Sequence, residues 1–207
     1  MSQAPPLRRP SAILFDMDGV LVDSYEAWFH AVRGAAKGFG LPDVARERFA
    51  SIWGQGIAAD LRNLYPGRTH AEVEAAYERE MGAQAATIRV NPEARSTLLA
   101  LRERGIPRAL VTNTQVGLAH AVLRAGGLDD VLDSVQGMRA GVREKPHPDL
   151  LLAALDALGV RPADALMIGD SRYDEGGAAA ARVPYLHYDM QRGTSLLATV
   201  LARIPVA

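Results

Sequence analysis

The chain has 207 residues, 48% of them hydrophobic, with a formal net charge of −1. That length supports one sizeable core, or a core with a small accessory domain, and the near-neutral charge offers no basic field to attract nucleic acid or anionic lipid. The absence of cysteine excludes disulfides, thiolate metal sites and a cysteine nucleophile and suits a reducing compartment, with the cytoplasm as the expected location; no 18 apolar residues run together, so no membrane partner is expected.

Residues 1–10, with Pro5, Pro6 and Pro10 and no apolar stretch of signal-peptide length, read as a loose tail. Ala12, Ile13, Leu14 and Phe15 then make a short continuous apolar run, the pattern of a strand buried on both faces of a parallel sheet. The run stops at Asp16, Asp18 and Gly19, the strand end at which open α/β sheets bind ligands, with a glycine that lets the backbone turn back toward one. Asp23-Ser24-Tyr25-Glu26 has capping-box spacing and predicts a helix through Trp28, Phe29 and Val32 that ends near Gly38–Gly40. Helical patterns recur from about Asp43 to Trp53, from Ile57 to Tyr65, and from Thr69, where Glu72 completes another capping-box spacing, to about Ala86. No strand is predicted between Val20 and Arg89.

Alternation begins again at Asn91-Pro92, which opens a helix with proline at its first position and closes at Gly105. Arg108–Val111 reads as a strand, Val116–Ala125 as a helix stopped by Gly126-Gly127, and Val131–Val135 as a weaker strand. A helix runs from Pro148 through Leu158 to Gly159, and strands follow at Ala165–Ile168 and Tyr185–His187. This rhythm predicts an α/β fold, a Rossmann-like parallel sheet core flanked by helices and joined by right-handed crossovers, with a small all-helical domain inserted after the first strand. The expected boundaries are a tail at 1–10, a core at 11–19 and 89–207, and the helical insertion at 20–88.

Polar groups stand where these strands end. Thr112 and Asn113 follow Val111 and bring a hydroxyl, an amide and backbone N–H groups able to hold phosphoryl oxygens; Lys145 lies in the loop GVREKPHPD; Asp170 ends the strand at Ile168, with Asp174 four residues on. Each has an ordinary reading when taken alone. Asp16, Asp18 and Thr112 are common turn formers, Lys145 a solvated lysine, and Asp170 a helix cap. Trp53-Gly54-Gln55-Gly56 marks either a loop that approaches something closely or a plain turn between helices. His147 and Glu175 lie beside the polar stations and read as a loop histidine and a solvated helix residue; the five histidines show no zinc-ligand spacing.

The stretch Asp16-Met17-Asp18-Gly19-Val20-Leu21-Val22-Asp23-Ser24 closely resembles the first motif of the haloacid dehalogenase-like (HAD) phosphohydrolases. Thr112, Lys145 and the Asp170–Asp174 pair stand in the order of that family's three further stations, so that the resemblance spans residues 12–182. It is nearest to the phosphoglycolate phosphatase and β-phosphoglucomutase branch, whose members carry a helical cap where this chain has residues 20–88. The resemblance implies Asp16 as nucleophile, Asp18 as general acid and base, Thr112 and Lys145 on the phosphate, and Mg²⁺ held by Asp16, Asp18 and Asp170 with Asp174 in support. It also implies that Trp53 and Gln55 face the substrate from the cap. Two positions depart from the family pattern: Glu175, where an apolar residue is common, and Arg182, where a glycine often ends the helix.

The chemistry follows without the family. A phosphate monoester repels a carboxylate nucleophile unless cations lie between them; Mg²⁺ prefers oxygen ligands and needs only one or two carboxylates, and Lys145 adds a second positive charge. An acyl phosphate on Asp16 divides one hard step into two easier ones. The expected protein is therefore a Mg²⁺-dependent phosphatase acting on a small phosphorylated metabolite. A phosphosugar mutase is the nearest rival, but it needs cap groups for a second phosphate, and Ser51 to Asp60 contains no Arg or Lys, though Arg62 and Arg68 follow. A non-enzymatic phosphoacceptor or binding module would lack the insertion or one of the four stations. The substrate, and the choice between monomer and homodimer, stay open at this stage.

Overall fold

A computed structural model describes residues 9–204. The chain runs β1 (Ala12–Phe15), β2 (Val22–Asp23), α1 (Tyr25–Gly38), α2 (Arg46–Ile52), α3 (Ile57–Asn63), α4 (His70–Gln84), β3 (Arg89–Val90), α5 (Ala94–Glu103) and β4 (Arg108–Gln115). It continues through α6 (Val116–Ala125), β5 (Ser134–Met138), α7 (Asp149–Leu158), β6 (Ala165–Gly169), α8 (Arg172–Ala181), β7 (Tyr185–His187) and α9 (Leu196–Leu201). Of the tail expected at 1–10, residues 1–8 lie outside the described residues, whereas Pro10 is buried.

Five strands form one parallel sheet in the order β5-β4-β1-β6-β7. The fold is thus the α/β arrangement expected, a parallel sheet with helices against it. β1 lies at its centre, paired with β4 and β6, and its four residues are fully buried. Successive side chains of a strand point to opposite faces. Ile13 and Phe15 accordingly join Leu98, Leu101, Leu110 and Leu123 on one face, while Ala12 and Leu14 join Val111, Leu150, Leu151 and Ala154 on the other. Each buried Leu, Ile, Val or Phe among them stabilises the fold by roughly 1.5–3 kcal/mol relative to exposure, so β1 is held from both sides and its end at Asp16 is fixed in place. Helices α1–α4 gather around an apolar cluster of their own, with Phe29, Phe49, Ile52, Tyr65 and Tyr77 among its buried members.

Several boundaries differ from the sequence expectation. Val22–Asp23 and Arg89–Val90 pair as a two-residue antiparallel ladder flanking the helical run, where no strand was predicted; they are too short to show a period. β4 continues through Thr112, Asn113, Thr114 and Gln115, across a register shift against β5, although its apolar run stops at Val111. The third parallel strand is Ser134–Met138 rather than Val131–Val135, because Asp129–Val131 winds into a 3₁₀ turn. Pro92 precedes α5 instead of opening it. The capping box at Thr69 and Glu72 is present, but α1 starts at Ser24 with no side-chain cap bond; Ser24 has another partner, described below.

Candidate active site

The loop between β5 and α7 brings Lys145 under the strand ends, where its side chain is 2% exposed. Its ammonium donates to Asp16 Oδ1 at 2.9 Å, to Asp174 Oδ1 at 2.5 Å and to the carbonyl of Val111 at 2.9 Å. Three acceptors for three N–H bonds fix the group in one orientation. Burial pulls its pKa down, but the charges of Asp16 and Asp174 outweigh that and hold the lysine protonated, with its pKa above the ordinary value. The carboxyl of Asp16 is pushed well above the usual carboxylate range, by burial first and by the charge of Asp174 second, against the pull of Lys145.

Asp170 follows β6 and lies close against Gly19. That glycine has φ 84°, and a Cβ there would lie 1.9 Å from Asp170 Oδ2, so no other residue permits the approach without rearrangement. Burial raises the pKa of Asp170 to about 7, against a hydrogen bond from Trp53. The helix cap offered as an ordinary role for Asp170 belongs instead to Ser171, whose hydroxyl accepts from Asp174 N while Asp174 Oδ2 accepts from Ser171 N at 3.1 Å. Asp174 thus divides its carboxylate: Oδ2 caps α8 and Oδ1 takes the lysine.

Asp16, Asp170 and Asp174 each offer an oxygen within 4.8 Å of the others, and Asp170 Oδ1 is buried with no hydrogen-bond partner among the described residues. An orphaned carboxylate oxygen facing two more carboxylates fits a hard divalent cation, and the all-oxygen donor set suits Mg²⁺. Asp18, expected among the metal ligands, is not in this grouping. Its Oδ1 accepts from Ser24 Oγ at 2.5 Å and Trp28 Nε1 at 3.0 Å, and its Oδ2 from Thr114 Oγ1 at 2.9 Å. Ser24, Trp28 and Thr114 escaped the sequence reading. Thr114 had a signal, since it lies two residues beyond Thr112 on the same face of the strand.

Thr112 is buried in β4, its hydroxyl oxygen accepting from Thr114 N at 3.1 Å. Asn113, expected to hold phosphoryl oxygens, has its amide engaged: Oδ1 accepts from Lys145 N at 2.7 Å, and Nδ2 reaches the carbonyls of Lys145 at 3.1 Å and Gly54 at 3.0 Å. Its side chain therefore ties the lysine loop to the helical segment. His147 and Glu175 are exposed.

Helices α1–α4 face the strand ends across a cleft with about 60 Å³ of free space, and Trp53 and Gln55 both line it. Trp53 Nε1 donates to Asp170 Oδ2 at 2.8 Å. Gln55 donates to Asp60 Oδ1 and accepts from Tyr173 Oη at 3.3 Å. Gly54 has φ 82°, and a Cβ there would lie 2.8 Å from the Ser171 side chain, so the loop between α2 and α3 does approach the core closely. Asp60 also accepts from Tyr77 Oη at 2.7 Å, and burial raises its pKa to about 7. Glu144, beside Lys145, accepts from the backbone N–H groups of Ala58 and Ala59, both at 3.0 Å.

A family model described as haloacid dehalogenase-like hydrolase matches residues 10–182. Among curated relatives, a phosphoglycolate phosphatase of Rhodospirillum rubrum is 35% identical over 193 residues, covering 84% of this chain and 78% of its own. Phosphoglycolate phosphatase 1 of Pseudomonas aeruginosa is 33% identical, with 88% and 72% covered. Among solved structures, a putative phosphoglycolate phosphatase from Lactobacillus plantarum superposes with a TM-score of 0.76 at 25% identity, with 86% of each chain covered.

Proposed function

The chain belongs to the haloacid dehalogenase-like hydrolases, and from that premise we propose that this phosphatase is Mg²⁺-dependent, works in the cytoplasm, and hydrolyses a small phosphorylated metabolite through an aspartyl phosphate on Asp16. The observation that carries the reading is the cluster in which Lys145 Nζ donates to Asp16 Oδ1 while Asp170 and Asp174 each present an oxygen within 4.8 Å. In the proposed cycle an oxygen of Asp16 attacks phosphorus, the bond to the ester oxygen breaks, and Asp18 gives the leaving alcohol its proton. Asp18 then takes a proton from water as that water attacks the phosphorus; the bond to Asp16 breaks and phosphate departs.

Asp16 and Asp170, with Asp174 in support, are the residues to hold Mg²⁺, which when bound supplies positive charge against the phosphoryl oxygens. Lys145 places its own charge beside the nucleophile, so that two anions can meet. Ser24, Trp28 and Thr114 orient Asp18, and the hydroxyl of Thr112, which lines the cleft, is the donor we assign to a phosphoryl oxygen. We read residues 20–88 as a cap on a core formed by 11–19 and 89–207, a division supported by the separate apolar cluster of the helices; closing such a cap excludes water until the second step.

The test is Asp18→Asn with p-nitrophenyl phosphate. A good leaving group needs little protonation, so the first step survives, whereas the second has lost its base. The variant is expected to release a burst of p-nitrophenol in Mg²⁺ and stall as a phosphoprotein detectable by intact mass, a species absent in EDTA and in Asp16→Asn. A fully folded Asp18→Asn variant that neither bursts nor carries phosphate would sink the assignment.

A further inference from the structure

The identity of the leaving alcohol is open in the reading above, and the far wall of the cleft bears on it. That wall is made by Val32, Phe49, Ile52, Ile57 and Tyr77, all buried; the amides of Gln55 and Gln115 also line the cleft, and Gln115 Oε1 has no hydrogen-bond partner among the described residues. The carboxyl on that wall is Asp60, held by Tyr77 and Gln55. Among the described residues Lys145 is the one lysine or arginine lining the cleft, and its three N–H bonds are already taken at the strand ends.

The arginines of the helical segment are engaged away from the cleft or lie outside its lining: Arg33 pairs with Asp43, Arg46 with Glu26 and Arg79 with Glu80, Arg48 and Arg68 donate to the carbonyls of Asn63 and Phe39, and Arg62 is exposed on α3 without lining the cleft. The backbone N–H groups that open α3, which could otherwise attract an anion, are occupied by the protein's own carboxylate, Glu144. A second negative charge on a substrate would thus be taken out of water against hydrocarbon and beside Asp60, with no cation to pair it, which is among the costliest burials in protein chemistry.

We infer that the substrate is the phosphate monoester of a small, uncharged, largely apolar alcohol, and that the wall from Val32 to Tyr77 selects it against esters carrying a carboxylate or a second phosphoryl group. The inference rests on the phosphatase reading and narrows it. It separates this chain from the relatives named for phosphoglycolate, an ester with a carboxylate.

Turnover and binding test it together. With Mg²⁺ present, phosphate release from 3-methylbutyl phosphate and benzyl phosphate is expected to exceed that from 2-phosphoglycolate by about 100-fold in kcat/KM, since discrimination is set by differential transition-state binding. Equal or better turnover of 2-phosphoglycolate, or of ethylene glycol bisphosphate, overturns the inference and leaves the phosphatase reading standing. Tryptophan fluorescence, reporting from Trp28 and Trp53 in the cleft, follows the non-hydrolysable benzylphosphonate and phosphonoacetate. Benzylphosphonate is expected to bind the Mg²⁺-loaded protein more tightly, and the opposite order again overturns the inference. If no ester turns over while benzylphosphonate keeps its advantage, the phosphatase reading fails and the class of occupant stands.

Discussion

Replacing Asp60 by asparagine should stabilise the protein, and only at neutral pH and above. The Asp60 carboxyl is 5% exposed, and burial moves its pKa from an ordinary 3.8 to about 7, despite hydrogen bonds from Tyr77 and Gln55 that favour the ionised form. The folded chain therefore holds this proton more tightly than the unfolded chain does. The stability so contributed is fully present below about pH 4 and is lost as pH rises through about 7. The gap between 3.8 and about 7 corresponds to about 4 kcal/mol.

An amide is neutral throughout and keeps the bonding: its oxygen still accepts from Gln55, and its nitrogen donates to Tyr77 Oη, whose own hydrogen turns to Tyr65 Oη at 3.2 Å. Discounting the charge-assisted bonds that are lost, Asp60→Asn should gain about 2 kcal/mol over wild type at pH 8 and match it near pH 5. Urea denaturation of both proteins in EDTA between pH 5 and 8 measures the difference, in which Asp16 and Asp170 cancel because both proteins carry them. An offset that is the same at both ends of the range, or a loss that grows with pH, would refute the reasoning.

Lys145→Met should abolish turnover and also cost about 3–5 kcal/mol, because it leaves Asp16 and Asp174 buried together without their cation; a fall in Tm of roughly 10 °C or more is expected by calorimetry, and wild-type stability with wild-type activity would remove Lys145 from the site. Arg182 ends α8 with φ 59° and ψ 37°, a left-handed conformation unfavourable for a side chain, so Arg182→Gly should gain about 0.5 kcal/mol after the added freedom of the unfolded chain is deducted. Chemical denaturation checks it, and a loss of stability would mean that the arginine makes a compensating contact.

The stations of the site were legible because buried parallel strands are apolar runs, and a carboxylate that interrupts one has few reasons to be there. Asp16 and Asp170 stand out in this way, and β1 and β6 carry them within a residue of the expected ends. What escaped the sequence is what depends on proximity between distant segments. Ser24 has the form of a helix cap, and nothing local says that its hydroxyl leaves the helix for Asp18. Glu144 reads as one more charged loop residue until α3 is laid across it. β4 extends further than its apolar run for a related reason: Thr112 to Gln115 are polar yet buried, and the groups that satisfy Asn113 and Thr114, the Lys145 backbone and Asp18, come from other loops. Asn113 shows the converse, a residue suited by type to a phosphoryl oxygen but claimed by two main-chain segments.

Glu144 has a property that its neighbours lack. Both its partners are main-chain N–H groups, so any residue except proline may stand at positions 58 and 59 without loosening the clasp. Mutational drift along the first turn of α3 is therefore silent in this respect, while the hold of the lysine loop on that turn rests on the side chain of Glu144, beside the separate bridge that Asn113 makes to Gly54. A lineage that needed a looser or tighter cleft would find that adjustment at residue 144, one position from the ammonium group and yet outside the set of side chains that meet the phosphoryl group.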